Sequence, residues 1–223
     1  MFPRTKNRKA ISTVLTTLII LVASVVLGTG VVLYGTSLFQ TNAQSQAISA
    51  TGTQVWVDTT KSSGFAWGAA AIRNSGDKLL SVDTISIRGT NIPFSNWYAD
   101  TNPARVTTQN FQSAMNYTSV LNTGDGSLVN GTGAGVSLPA GCTNTNNPSN
   151  LILELQPQST SGYQSLCMSQ QTGPISLQPG AKAIVYFKVP QNLLTSVDAG
   201  ASSSIGIYAG QVGSPKTVTI AAK

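Results

Sequence analysis

Charge is what this sequence has least of. Only 9% of its 223 residues are Asp, Glu, Lys or Arg, against roughly 25% in a soluble globular domain. Histidine is absent and Glu154 is the single glutamate. Those gaps exclude a His-based triad, a His metal site and any glutamate pair for acid and base work. No catalytic activity and no cofactor are therefore expected. Thirteen Lys and Arg against seven Asp and Glu give a net charge of +6, but Arg4, Lys6, Arg8 and Lys9 supply four of the basic residues. The remainder of the chain is only about +2, without the clustered basic face that a nucleic-acid footprint requires.

What is present instead is a long apolar run. From Ala10 to Phe39 no residue is charged, and thirteen Val, Leu and Ile residues fall between Val14 and Leu33. About 20 apolar residues suffice to cross a bilayer, and on an insertion scale these thirteen contribute roughly −5 kcal/mol with no charge opposing them. The basic cluster before the run stays in the cytoplasm by the positive-inside rule, which places everything after Phe39 outside the cell. A secretory signal has an apolar region of about 7 to 15 residues followed by a small-residue cleavage site. Here the run is too long, and the small residue, Ala10, stands on its cytoplasmic side. The β-branched residues lower helix propensity in water, but lipid forces the backbone to bond internally, so helix is the expectation. Ser24 and Gly28 make a small-x-x-x-small pair, with Gly30 and Gly35 beyond; close helix packing and the general abundance of glycine in membrane helices both account for them.

Past Phe39 the composition turns polar, yet Phe39, Ala43 and Ala47 recur every four residues beside Ile48. That repeat predicts that the helix continues to about Thr51, with Gly52 as its stop. Ile11 to Thr51 as helix would be roughly 60 Å long.

From residue 52 to 223 short alternating runs are bounded by Gly, Pro, Asn and Ser, which predicts one all-β domain. Phe65, Trp67, Ala69 and Ala71 share a face of one strand. Asn74-Ser75-Gly76-Asp77 is a turn, and the change of parity between Val82 and Ile85 predicts a bulge near Asp83-Thr84. Leu151, Leu153 and Leu155 form another face with Glu154 turned away. Pro179-Gly180 suits the centre of a type II turn before Ala183, Val185, Phe187 and Val189, and Pro190 ends that strand. Ile205 with Ile207, and Val218 with Ile220, supply two more. Seven or more strands favour an immunoglobulin-like sandwich, so the fold class is α+β: a long apolar helix, then a β-sandwich head. Residues 122 to 150 are loop-like, an exposed excursion. Asn91 to Tyr117 carries no clear pattern.

Few motifs suggest chemistry. Cys142 and Cys167 lie on the predicted outside, where a disulfide can form; it would close a loop of about 25 residues and contribute on the order of 3 kcal/mol. Asn116-Tyr117-Thr118 and Asn130-Gly131-Thr132 match the glycosylation acceptor pattern. Ser75-Gly76-Asp77-Lys78 matches S-x-x-K formally, but no K-T-G or S-D-N accompanies it and a plain turn is the better reading. Asp100-Thr101-Asn102 and Asp125 lack the further ligands of a calcium loop, which leaves only a site assembled from separate loops. Trp56, Trp67 and Trp97 could make a carbohydrate platform, although single Trp residues in strands are more often core.

The segment Asn7-Arg8-Lys9-Ala10-Ile11-Ser12-Thr13-Val14-Leu15-Thr16-Thr17-Leu18-Ile19-Ile20-Leu21 resembles the class III leader and helix of archaeal type IV pilins. The resemblance covers about 35 residues, with basic leader, small residue and long uncharged helix in the family's order. It implies that a prepilin peptidase cuts between Ala10 and Ile11 on the cytoplasmic side, with Lys9 as the basic residue before the cut. Residues 1 to 10 are then a leader, 11 to 51 the helix and 52 to 223 the head. The implied partners are further copies of the chain in a helical filament, the pilus assembly machinery, and the membrane before assembly. Many archaeal pilins have Pro where Thr13 stands; bacterial type IV pilins have Glu where Leu15 stands, which points away from the bacterial branch. Archaellins, the swimming-filament subunits, share the architecture but usually begin Gly-rich, so Ile11-Ser12-Thr13 looks more like an adhesion pilin. A surface binding protein anchored by an uncut helix is the alternative from another class.

Overall fold

A computed structural model describes residues 7–43, 45–60, 65–117, 150–156 and 161–223. They form two units, 1–45 and 46–223. The first holds helix α1, Asn7–Ala43, 37 residues without a break. At 1.5 Å per residue it is about 55 Å long.

The second unit is built from strands. In chain order these are β1 (Ile48–Val57), β2 (Ala66–Asn74), β3 (Leu80–Val82), β4 (Thr84–Ile87), β5 (Thr90–Asn91), β6 (Trp97–Asp100), β7 (Asn150–Leu153), β8 (Leu166–Gln170), β9 (Ile175–Leu177), β10 (Lys182–Lys188), β11 (Ser202–Ala209), β12 (Val212–Gly213) and β13 (Lys216–Ala222). A short helix α2, Thr108–Gln112, follows β6. An N-terminal apolar helix followed by a largely β domain is thus the observed architecture.

The helix does not run to Thr51. It ends at Ala43, and Ile48 already belongs to β1. The four-residue repeat of Phe39, Ala43 and Ala47 loses to pairing, because β1 bonds β2 on one side, from Ile48↔Asn74 to Val57↔Ala66, and β13 on the other, from Val55↔Ile220 to Val57↔Ala222. Gly52 is not a helix stop either. Its φ of 59° serves a bulge, where the register with β2 shifts between Thr51 and Gln54. The bulge expected at Asp83 is something else: β3 pairs β9 in a two-stranded sheet while β4 pairs β11 in the large one. The parity change marks a chain leaving one sheet for another.

The immunoglobulin-like sandwich is not confirmed: apart from the β3–β9 pair, the described strands belong to one large sheet. Eleven strands join in one mixed sheet of order β5-β4-β11-β13-β1-β2-β10-β6-β8-β7, with β12 on β11. The join is β13, whose Lys216 to Thr219 pair antiparallel with β11 and whose Ile220 to Ala222 pair parallel with β1. By handing its partner over midway, β13 carries the sheet round so that its β4–β11 end packs over β1, β2 and β10. Ile85, Ile87, Ile205 and Ile207 pack with Val55, Ile72, Val185 and Phe187 in one cluster. On the opposite face Trp56, Trp67, Ala69, Ala71 and Tyr186 pack with Leu151, Leu153, Met168, Val106 and Met115. Strands β2 and β10, and the Val55 to Val57 end of β1, are therefore buried on both faces, which is why they read as nearly continuous apolar runs.

Several local expectations hold. Leu151, Leu153 and Leu155 share the second cluster, and Ala183, Val185, Phe187 and Val189 share the first. The Pro179-Gly180 turn is closed by the Ala181 N–H to the Gln178 carbonyl at 2.9 Å, with Gly180 at φ 77°. The unpatterned region from Asn91 to Tyr117 contributes β6 and α2 and covers the second face with Val106, Phe111 and Met115. Residues 122–149 of the expected loop excursion lie outside the described residues, and Asn150 opens β7.

Gly68 sits between Val55 and Phe187 in the sheet, and a Cβ there would overlap the Phe187 ring. Phe187 is fully buried and has no room to retreat. Gly68→Ala should cost about 1–3 kcal/mol by overpacking, read as a lower denaturant midpoint for loss of tryptophan fluorescence, with α1 held in detergent.

Candidate functional site

The feature that sets this chain apart is the surface of α1. Its 27 residues Ser12–Leu38 are long and apolar enough to cross a membrane, and none of the window is buried against the rest of the chain. Ile19, Ile20 and Leu21 follow one another at about 100° each around the axis, and all are exposed. So are Val14 at 65% and Leu33 at 70%, near the two ends. No side of the helix is left polar, unlike the striped helix that docks on a soluble core.

The hydroxyls on this surface are turned inward on the backbone. Thr16 Oγ1 donates to the Ser12 carbonyl at 2.8 Å, Thr17 to Val14 at 2.9 Å, Ser24 to Leu21 at 2.8 Å, and Thr36 to Leu33 at 3.0 Å. Thr29 reaches both Val25 and Val26. Such back-bonding gives these five hydroxyls a partner within the helix, where an unmatched one in an apolar medium would cost several kcal/mol. Gly28, Gly30 and Gly35 meet nothing within 4 Å of where a Cβ would stand. Nothing inside this chain requires glycine there, although each costs about 0.5–1 kcal/mol of helix stability relative to Ala. Lys9, Ala10 and Ile11, the expected cleavage residues, lie in continuous helical backbone near its start.

The other expected sites fall in or near the β domain. Cys167 lies on β8, buried, and is a disulfide cysteine and not a free thiol; Cys142 lies outside the described residues. Asn130 is outside them too. Asn116 is exposed, and its amide Nδ2 donates to the Leu155 carbonyl at 2.8 Å while its own carbonyl accepts from the Tyr186 hydroxyl at 3.2 Å. Burial pushes the Tyr186 hydroxyl well above the ordinary phenol range, so it remains a donor. A glycan on Asn116 would attach to a nitrogen already engaged in the fold.

Trp56, Trp67 and Trp97 are all buried, with Trp97 donating its indole N–H to the Ile92 carbonyl at 3.1 Å. They are core and offer no carbohydrate platform. Ser75 to Lys78 form the connection after β2, with the Ser75 N–H bonded to the Ala47 carbonyl, as a turn reading expects. Among the described residues no group of three or more His, Cys, Asp or Glu could hold a metal.

Asp100 shows what an isolated carboxylate does here. It is buried, and its oxygens accept from the Asn102 N–H at 2.9 Å, Arg105 Nε at 2.6 Å, Arg105 Nη2 at 3.1 Å and the Cys167 N–H at 2.8 Å. One side chain thus ties the loop after β6 to the disulfide strand. Beside it, a cleft of about 700 Å³ opens between that loop and the β9–β10 turn, lined by Pro103, Val106, Thr108, Leu177, Ala181 and Lys182 among others. Sequence inspection missed the Asp100 pairing, although an Asp five residues before an Arg was its available sign.

No family model matches the chain, and no curated protein matches it.

Removing the Asp100 carboxylate would take a buried, charged acceptor away from Arg105 and from the Cys167 N–H. Asp100→Ala should destabilise the domain by about 3–5 kcal/mol, measurable by denaturant unfolding. For the cysteines, the intact mass after alkylation should be the same with and without thiol reagent unless reductant is added first. Two alkylated thiols in the unreduced protein would remove the Cys142–Cys167 pairing.

Proposed function

We propose that the chain is a structural subunit of an extracellular filament like the type IV pili of archaea, assembled through α1 and serving attachment or surface contact. The observation that carries this reading is a helix apolar on every side, joined to a folded β domain. Leaving its thirteen Val, Leu and Ile residues in water would cost on the order of 20–40 kcal/mol, at about 1.5–3 kcal/mol each. The helix must stay in lipid or be covered by copies of itself. No charge occurs from Ala10 to Val57, so close packing of copies would desolvate none. The three glycines that nothing in the chain demands suit close backbone approach between helices.

On this reading the precursor sits in the cytoplasmic membrane with its N-terminus inside. A prepilin peptidase removes residues 1 to 10 after Lys9 and Ala10, and mature chains beginning at Ile11 bundle their helices with the β domains facing solvent. An immunoglobulin-like head would be the family's usual form; the folded-over sheet with its shared core serves the same role of a solvent-facing shell. The start Ile11-Ser12-Thr13 favours an adhesion filament over a swimming one.

N-terminal sequencing of the protein from its native cells should return Ile11 as the first residue. Electron microscopy with a label against the β domain should decorate filaments, and Val25→Asp should abolish them while the unfolding midpoint of the β domain stays unchanged. An uncut Met1 with label confined to the membrane would instead select a permanently anchored surface protein.

A further inference from the structure

Alternation along β4, β11 and β13 decides which of their side chains leave the core. Ile85 and Ile87 of β4, Ile205 and Ile207 of β11 and Ile220 of β13 enter the first cluster, with Val212 of β12 and Val218 of β13 packed against it. The residues between them point the other way. They are hydroxyl side chains, Thr84 and Ser86 on β4, Ser202 and Ser204 on β11, and Thr217 and Thr219 on β13, set around Tyr208 and two glycines. Register puts Ser202 beside Thr219 and Ser204 beside Thr217, and it places Tyr208 between Thr84 and Gly213.

Tyr208 lies down on this face. A Cβ at Gly206, two residues back on the same strand, would overlap the hydroxyl end of its ring, and a Cβ at Gly213, directly across on β12, would overlap the ring's near side. The ring therefore spans both glycines with one face against the sheet. Neither glycine has a positive φ, so what each supplies is the missing side chain and not a backbone conformation. Gly206 is buried in consequence, while Tyr208 is half-buried, as suits a ring with one face on backbone and the other free. Covering bare backbone with an aromatic ring is one way of stabilising a strand glycine, and that accounts for the inner face. The outer face is unused: the Tyr208 side chain makes no hydrogen bond and no ring contact with an aromatic or a cation among the described residues.

The groups around that outer face select a class of ligand. None of the hydroxyl side chains beside it is hydrogen-bonded among the described residues, and no outward position on β4, β11 or β13 carries a charge. A nucleic acid or other polyanion finds no cation here, and a lipid surface finds neither cations nor an aliphatic face. The core of a protein interface calls for large apolar side chains, and beyond the Tyr208 ring this face has none. A neutral sugar matches each feature. The C–H groups on one side of a pyranose ring rest on an aromatic face, and its hydroxyls both donate to and accept from Ser and Thr hydroxyls at the rim.

We propose that the outward face of β4, β11 and β13 binds neutral polysaccharide, with one pyranose unit stacked on Tyr208 and its neighbours held by Thr84, Ser86, Ser204 and Thr217. Tyr208 is the anchor. Gly206 and Gly213 are positioning residues, because only bare backbone lets the ring lie low enough for a sugar above it to reach the hydroxyls on either side. The site belongs to the β domain alone and goes beyond the filament reading, since a chain that never assembles would bind the same sugar.

The test uses the full chain with α1 held in a detergent that has no sugar headgroup. Cellohexaose, maltohexaose and chitohexaose are the neutral probes and a heparin hexasaccharide is the charged control, each titrated and followed by saturation-transfer NMR. Saturation should reach the C–H groups of at least one neutral hexaose and not those of the heparin fragment. Tyr208→Ala should weaken the binding about tenfold or more, as loss of an anchoring aromatic does. Tyr208→Phe should keep most of it, a rescue that follows the ring face, and Gly206→Ala, which lifts the ring, should weaken it. Where Tyr208→Ala fails to fold, Thr217→Glu at an exposed position puts a charge on the face and should weaken binding in a folded protein. No binding of any neutral hexaose, equal binding of the heparin fragment, or binding unchanged by Tyr208→Ala or by Thr217→Glu would overturn the site. Filaments on cells without sugar binding would leave the helix-based reading standing, and sugar binding without filaments would do the reverse.

Discussion

Everything about α1 follows from one constraint: its surface must be kept from water by atoms the chain does not itself supply. Inside a single copy, Ser12–Leu38 touch nothing that buries them. The apolar medium that replaces water, whether lipid or protein, then dictates the rest. It forces the backbone into helix despite the many β-branched residues. The serine and threonine hydroxyls that bond back to carbonyls three and four residues earlier suit such a medium, in which an unmatched donor is costly. The lack of charge through Val57 is the same constraint written in composition.

The β domain answers a different problem, how to anchor a strand that arrives from such a helix. β1 pairs with β2 from Ile48 to Val57 and with β13 from Val55 to Val57, where Val55 and Val57 enter one core cluster and Trp56 the other. Pairing the first strand with the last puts the C-terminal Lys223 beside Val57, where its N–H bonds the Val57 carbonyl at 2.9 Å. The start of β1 is thus at one end of the domain and the chain terminus at the other.

How much of this could be read in advance depended on whether the cause was local. The apolar helix, the Pro179-Gly180 turn and the faces of Leu151 to Leu155 and Ala183 to Val189 each rest on residues within a few positions of one another. The errors all come from partners distant in sequence. Phe39, Ala43 and Ala47 have a helical period, but residues near 74 and 220 decide that Ile48 begins a strand. The parity break at Asp83 looked like a bulge because the switch to a second sheet depends on β9. That β13 changes partner midway, joining most strands in one sheet, is something no alternation of Val218 and Ile220 reveals. The turn Ser196–Asp198 did have a local sign, Thr195 with Asp198 three residues on, the spacing by which an acidic side chain reaches back to the first N–H of a turn.

A helix apolar on every side is a poor device for choosing one arrangement. Dispersion between uniform aliphatic surfaces changes little when one helix slides or rotates past another, and polar contacts are what usually distinguish one register from its neighbours. α1 has few such groups: its charges end at Lys9, Thr16 and Thr29 bond their hydroxyls to the backbone, and Tyr34 is the exposed exception. On the filament reading, helix packing then supplies cohesion but few of the polar contacts that single out one register, and the directional groups that could do so remain on the β domain.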